Sequence, residues 1–288
     1  MNRFLKVFNK GKCHIIGMIH VDALPGTPKY AGNWNKILEK TQYEANVYNK
    51  YKLDAVLIEN MHDVPYVQAT HFTPETVACM THIGSAVKQV LSSSTPLGMQ
   101  ILACGNREAL AVAKAIGLQF IRAEGFVFGH VADEGYTDAC AGQLLRYRRQ
   151  IDADNVLILT DLKKKHSAHA ITQDVSLLET AKAAEFFLTD GVIITGNSTG
   201  HAASPEDLNN LTGKIKSPIL IGSGVTTDNF HEYYNKAQGV IIGSHFKING
   251  QWENDLCEKT IDKFMQRSAA LNETNAAISI SKKAKNIN

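Results

Sequence analysis

Two turns near the end of the chain have the composition of an anion cradle. Gly222-Ser223-Gly224-Val225 follows one short apolar run, and Gly243-Ser244-His245-Phe246-Lys247 follows the next. Glycine lets the backbone approach an anion closely with its N–H groups aimed at it, and serine adds a hydroxyl donor. The helix expected after each turn would present its positive end. Phosphate suits such a pair of turns; the alternative is that the glycines only close tight bends. A third small polar loop, Thr195-Gly196-Asn197-Ser198-Thr199-Gly200, could line the same pocket. The candidate phosphate-binding set is therefore Thr195, Gly196, Gly222, Ser223, Gly224, Gly243 and Ser244.

Acids and bases stand at the ends of four other apolar runs: His20, Glu59, Glu124 and Asp161. Charges gathered at one rim must be stabilised by one another, by a ligand or by a metal. These groups could act as general acid and base, or offer oxygen ligands to Mg²⁺. Their spacing matches no closed zinc site. His20 could polarise a carbonyl or shuttle a proton. Glu124 is the first candidate for the catalytic carboxylate, with a structural pairing to Arg122 or Arg107 as the alternative. Lys163 is a candidate Schiff-base amine, because Lys164 and Lys165 could lower its pKa by like charge. The other reading of that run is an exposed lysine-rich turn. Asn60, Gln100, Arg122, His130, Asp133, Lys165 and His166 are expected to line the substrate. The segment from Gly129 to Gly135 reads equally as a lid or as a solvent loop.

Something must bring these residues to one place. Eight short runs rich in β-branched residues recur: Cys13–His20, Asp54–Glu59, Leu97–Leu102, Phe120–Glu124, Val156–Asp161, Gly191–Thr195, Pro218–Gly222 and Gly239–Gly243. Between them lie amphipathic stretches with helix-start signals, such as Thr73-Pro74-Glu75 and Ser204-Pro205-Glu206. Strands alternating with helices imply a parallel sheet, and runs such as Ile219-Leu220-Ile221 imply burial on both faces. Eight repeats point to an α/β fold closed as a (β/α)8 TIM barrel, whose chemistry sits at the C-terminal strand ends and whose phosphate site often follows strands seven and eight. A doubly wound open sheet is the alternative, but no GxGxxG follows the first run. The expected organisation is a basic segment over 1–12, one barrel over 13–270 and a structureless polar tail over 271–288.

The 288 residues suffice for such a barrel, typically ~250 residues. A formal net charge of +2, with no long basic block, argues against a nucleic-acid partner. No apolar run reaches the ~20 residues of a membrane span. Five scattered cysteines, none in a CxxC pair, suggest reduced thiols in the cytoplasm. The first dozen residues carry Arg3, Lys6, Lys10 and Lys12 and no acid, the composition of an organelle-targeting peptide, which makes the mitochondrion the alternative. Val64, Tyr66, Val67 and Phe72 give the long loop of 61–72 an apolar character, so a homo-oligomer is expected.

Several stretches, taken in order, resemble the BtpA/SgcQ family. They are Gly17-Met18-Ile19-His20 with Leu24-Pro25-Gly26-Thr27-Pro28, Ile58-Glu59-Asn60-Met61-His62-Asp63-Val64-Pro65-Tyr66, Leu144-Leu145-Arg146-Tyr147-Arg148, Lys164-Lys165-His166-Ser167, and the three glycine loops above. The resemblance runs to about residue 267 and implies a barrel of the ribulose-phosphate-binding type. It carries no settled reaction. Photosystem assembly, a role of some cyanobacterial members, does not transfer, because a shared fold does not fix function. The chain departs from the commoner family pattern twice. Gln100-Ile101-Leu102-Ala103-Cys104-Gly105 stands where many members have an Asn-Val-Leu-Arg-Asn-Asp type of run, and Glu124 stands where an amide is commoner. The resulting expectation is an enzyme acting on a small phosphorylated metabolite by acid/base chemistry, as a lyase, isomerase or hydrolase. The alternative is a non-catalytic assembly or regulatory factor that keeps a phosphate-ligand site.

Overall fold

The computed structural model describes residues 3–9, 11–196 and 200–285, with side chains through 275. Its strands, in chain order, are β1 (His14–His20), β2 (Ala55–Glu59), β3 (Leu97–Gln100), β4 (Phe120–Ala123), β5 (His130–Ala132), β6 (Gly135–Thr137), β7 (Leu157–Asp161), β8 (Ser167–Ala168), β9 (Gly191–Ile194), β10 (Ile219–Ile221) and β11 (Gly239–Ile242). Eight of them close a parallel barrel in the order β1-β11-β10-β9-β7-β4-β3-β2. These eight are the apolar runs expected from sequence. The remaining three form an antiparallel sheet, β6-β5-β8, built from the segments that follow β4 and β7.

The outer layer comprises α2 (Trp34–Lys50), α3 (Pro74–Val90), α4 (Asn106–Ile116), α5 (Ala141–Gln150), α6 (Leu177–Phe186), α7 (Pro205–Leu211), α8 (Phe230–Tyr233) and α9 (Glu258–Lys285), with α1 (Phe4–Val7) ahead of β1. Local chemistry sets their ends. Ser204 accepts from the Glu206 N–H at the start of α7, and Ser176 and Glu179 form a reciprocal cap on α6. Gly117, at φ +70°, ends α4 in the left-handed conformation that glycine tolerates best.

Strand alternation divides the interior in two. Outward residues such as Ile15, Ile19, Val56, Ile58, Ile121 and Ile158 join the helices in one apolar layer. Inward residues Ile16, Met18, Leu57, Phe120, Leu157, Leu159, Ile193, Leu220 and Ile241 fill the barrel itself. Gly98 leaves room for the Phe120 ring, because a Cβ there would overlap it.

The first residues are not a basic segment apart from the barrel. Phe4 and Phe8 are 2% and 1% exposed and stack at 4.7 Å, in contact with the inward layer. They close the barrel's lower mouth. Aromatic burial decides the placement of this segment, and Lys6 and Lys12 stay outside. The expected structureless tail is also corrected over its described part. α9 continues to Lys285; the Tyr234 hydroxyl donates to Asn272, and Asn275 donates to Asn235 at 2.6 Å. The tail has no glycine or proline and is rich in alanine and lysine, which favour helix.

Phe8→Ala should therefore cost about 3–5 kcal/mol in urea denaturation, the usual effect of emptying a buried aromatic site. Lys6→Ala, at an exposed position of the same turn, should change stability by no more than about 0.5 kcal/mol. Equal effects of the two changes would contradict the plug.

Candidate functional site

The same alternation that fills the barrel with apolar side chains ends in a polar layer at its upper mouth. His20, Glu59, Gln100, Arg122 and Asp161 each stand two residues beyond an inward position. Register aligns His20 with Glu59 and Glu59 with Gln100 across β1, β2 and β3. All five are buried. Arg122 holds Asp161 in a two-pronged ion pair, with Nε on Oδ1 and Nη2 on Oδ2, both at 3.0 Å.

A small cavity of about 110 Å³ opens on this layer. His20, Glu59, Arg122 and Lys165 line it together with the turns at 222–226 and 243–245 and with Gly200. The His20 Nδ1 faces the Trp252 carbonyl at 3.3 Å. A carbonyl accepts only, so the proton sits on Nδ1 and Nε2 keeps its lone pair, 3.8 Å from Glu59 Oε2. Burial holds the His20 imidazole well below its ordinary pKa, and the Lys247 charge adds to this. Burial pushes the Glu59 carboxyl up, against the pull of Lys165 and Arg122. Burial pushes the Lys165 ammonium down, helped by Arg122 and opposed by Glu59, Asp161 and Glu124. Acid and amine are both moved toward their neutral forms.

The two turns face this cavity as the sequence suggested, but their internal chemistry differs from that expectation. The Ser223 hydroxyl accepts from the Gly196 N–H at 3.1 Å and donates to the His201 carbonyl at 2.9 Å. It ties neighbouring loops together. Thr195 donates to the Lys163 carbonyl at 3.2 Å, and neither Thr195 nor Gly196 lines the cavity. The described end of that loop reaches the cavity at Gly200 instead. Gly224, at φ +69°, lies where a Cβ would strike the Ala202 backbone. A Cβ at Gly243 would come within 2.8 Å of the His20 ring. The elements after these turns are a four-residue helix and a single 3₁₀ turn, so the expected positive helix ends contribute little. Ser244, at the start of the second turn, also lines the cavity.

Three consecutive lysines go three ways. Lys163 donates to the Val175 carbonyl at 2.9 Å and does not line the cavity, which removes it as the amine. Lys164 sits between Glu134 at 2.5 Å and Glu124 at 3.6 Å. Lys165 is the one that enters the cavity.

Glu124, the first candidate for the catalytic carboxylate, lies elsewhere. β4 ends at Ala123, and Gly125 turns the chain at φ +57°. The carboxylate accepts from the Cys104 N–H at 2.9 Å and lines a separate lateral cavity of about 600 Å³ beside α4 and α5. Its ionic partner is Lys164, while Arg107 lies over the Tyr147 ring at 4.4 Å. Asp161 is committed to Arg122. Asn60 is committed to Asp63 and to the backbone of Leu102. Gln100 is buried below the cavity lining, with Oε1 unpartnered among the described residues.

The segment after β4 is an ordered hairpin paired with β8 on the C-terminal face, where sequence left a lid and a solvent loop equal. His130 is buried in it, beside His169 at 5.1 Å, with Nε2 unpartnered among the described residues. Asp133 and His166 are exposed on this sheet and line neither cavity. Among the described residues no group of three or more His, Cys, Asp or Glu side chains is placed to hold a metal ion. The carboxylates considered for Mg²⁺ are engaged by Arg122 and Lys164 or stand singly. The contribution of Trp252 had no motif to announce it.

Comparison with known proteins settles the family. The model of the BtpA family matches residues 11–270. The chain belongs to the BtpA family. It is 50% identical over 264 residues to an uncharacterized mitochondrial protein of Caenorhabditis elegans, covering 91% of this chain and 95% of the relative. It is 30% identical over 256 residues to the photosystem I biogenesis protein BtpA of Synechocystis, covering 88% of each. Among solved structures, a ligand complex of KGPDC of Streptococcus mutans superposes with a TM-score of 0.57 at 10% identity, covering 90% of this chain and 98% of that one. Thiamine phosphate pyrophosphorylase of Pyrococcus furiosus gives 0.54 at 14% identity, covering 89% and 96%. These likenesses show the (β/α)8 barrel fold that this BtpA-family chain shares.

The buried histidines make stability fall with acid. Burial, with His169 and Lys164, lowers the His130 pKa to about 4. Above pH 6.5 the ring is neutral in both folded and unfolded chains. Below that, the unfolded chain binds a proton that the folded site refuses, so stability drops as pH falls toward 4. Between pH 7 and pH 5 this should cost about 2 kcal/mol. Urea denaturation of His130→Asn should show a loss over that interval smaller by this amount; an unchanged loss would place a protonated His130 in the folded chain.

Proposed function

We propose that this BtpA-family barrel is an enzyme acting on a small phosphorylated metabolite. The observation that carries the reading is the composition of the 110 Å³ cavity, which sets two glycine-serine turns against Glu59, Lys165 and His20. Drug-sized ligands need cavities of roughly 300 Å³ or more, so this one suits a phosphate on a chain of few carbons. The turns at β10 and β11 hold the phosphate. Its binding energy then serves to orient the reacting end. Glu59, made a weaker acid by burial, gives or takes a proton there. His20, neutral and anchored on Trp252, offers the Nε2 lone pair beside it. Arg122 stabilises negative charge from within its pair with Asp161. Engaged in this way, Asp161 takes no part as a base. No step is assigned to Mg²⁺.

Compartment and assembly belong to the same proposal. The designation mitochondrial is the nematode relative's, and cofractionation of this chain with mitochondria would extend it. Self-association through the 61–72 loop rests on Val67, which is 48% exposed; the Tyr66 hydroxyl turns inward to Met61. A monomer mass of 31.6 kDa in light scattering would reject it.

The phosphate turn is best tested at Ser244. Gly224→Asp would break the turn and lose folding together with binding, because of its positive φ and the Ala202 contact. Ser244→Asp places a negative charge at the cradle. It should leave the chain folded and abolish the rise in melting temperature given by inorganic phosphate or short phosphorylated sugars. Glu59→Gln should keep that rise and lose turnover by about 10²–10⁴-fold, the usual contribution of a general acid. Wild-type chain that binds across the panel but turns nothing over would support the non-catalytic alternative instead.

A further inference from the structure

The lysine that reaches the cavity shares it with an acid and with the two glycine turns. We propose that Lys165 is a covalent site, which captures the carbonyl carbon of a short phosphorylated aldehyde or ketone as an iminium, with Glu59 supplying the proton that the departing oxygen needs. This deepens the proposed function and rests on its phosphate site.

The placement comes from the ring of strands. The cradle lies on β10 and β11, which are neighbours. Going one way around the barrel, β7 is two places from β10, and Lys165 follows β7. Going the other way, β2 is two places from β11, and Glu59 ends β2. A phosphate on the cradle is thus flanked by the amine on one side and the acid on the other, and all of them line one cavity. With room for only a few carbons, the carbonyl of a bound chain cannot lie far from either group. The neighbouring lysines are held elsewhere, Lys163 by the Val175 carbonyl and Lys164 by Glu134 and Glu124. They do not compete for the substrate.

Imine formation requires a neutral amine and an available proton. Desolvation moves Lys165 and Glu59 in those directions, although each also attracts the other's charged form. The step balances. The Lys165 nitrogen lone pair attacks the carbonyl carbon while the C=O π pair moves to oxygen. One amine hydrogen and the Glu59 proton end on that oxygen. The C–O bond then breaks as the nitrogen pair forms C=N⁺, and water leaves. The products are one iminium, one water and the Glu59 carboxylate. That carboxylate and the His20 Nε2 lone pair then stand in the same cavity as bases for a proton on the adjacent carbon.

The test uses the full chain with glycolaldehyde phosphate or dihydroxyacetone phosphate, reduced with sodium cyanoborohydride and read by intact mass and peptide mapping. One adduct per chain is expected, at Lys165, suppressed by inorganic phosphate and at least tenfold weaker with unphosphorylated dihydroxyacetone. Lys165→Arg should remove the adduct and keep the thermal stabilisation by inorganic phosphate. Labelling spread over surface lysines, or stabilisation by the phosphorylated probes with no adduct at Lys165, would overturn the covalent role and leave the phosphate site standing. Absence of both adduct and stabilisation, by probes and by inorganic phosphate alike, would overturn the phosphate site as well. The wild-type map decides these outcomes even where the variant fails to fold.

Discussion

The pairing of Arg122 with Asp161 is the constraint on which the site depends. A guanidinium inside a barrel has lost its water, and only a carboxylate in matched geometry offsets that loss. Two parallel hydrogen bonds at 3.0 Å provide the match. Removing either partner would leave a buried charge alone, a change that typically costs about 3–5 kcal/mol. The pair therefore settles which polar groups at the mouth are engaged and which can respond to a ligand. Asp161, the most obvious strand-end acid, is taken. Glu59 stands beside His20, and both Glu59 and Lys165 face the cavity. The positive charge of Arg122 also acts on both, holding the Glu59 carboxyl down and the Lys165 ammonium down. Their opposite departures from ordinary behaviour follow from one desolvated layer containing one fixed ion pair.

Rigidity reaches this layer from both ends of the barrel. Below, Phe4 and Phe8 close the interior against the apolar residues of β1, β4 and β7. Above, the loops are fastened to one another. Ser223 joins the loop after β9 to the turn after β10. His245 accepts from the Thr227 N–H at 3.0 Å and joins the turn after β10 to that after β11. Asn229 holds Gly224 and Thr226 from the α8 side. Side chains that appeared in the sequence as ligand donors are occupied in holding the backbone in place. Turns held this way are preorganised.

The fold was legible because eight apolar runs alternating with helix-start signals leave few alternatives. Standing at the end of a run identified His20, Glu59 and Asp161 as groups of one rim, and in the strands an alternation of period two turns them inward. It failed at the strand ends. Glu124 would be inward if β4 continued, but the chain turns at Gly125. Lys163 and Lys165 lie beyond β7, where loop geometry decides direction and alternation has no force. The roles of Ser223 and Thr195 were hidden for a different reason. A hydroxyl in a glycine turn can serve the turn or a ligand equally well, and only its neighbours distinguish the two. At the N-terminus, Phe4 and Phe8 stand four residues apart, a helical spacing that signals one buried face, and the net basic composition obscured it.

Three of the positions where the chain departs from the commoner pattern of the resembling family converge in space. Ala103, Cys104 and Glu124 all line the lateral cavity beside α4 and α5. None of them lines the central cavity. The central cavity is built from His20, Glu59, Arg122, Lys165 and the two turns, and these lie within the stretches that carry the resemblance or, for Arg122, in a pattern that keeps the arginine. Lys164 contacts Glu124 and Glu134 in the lateral cavity, and its neighbour Lys165 lies in the central one. A substitution at 124 thus acts on the charge that positions this loop from outside the central cavity.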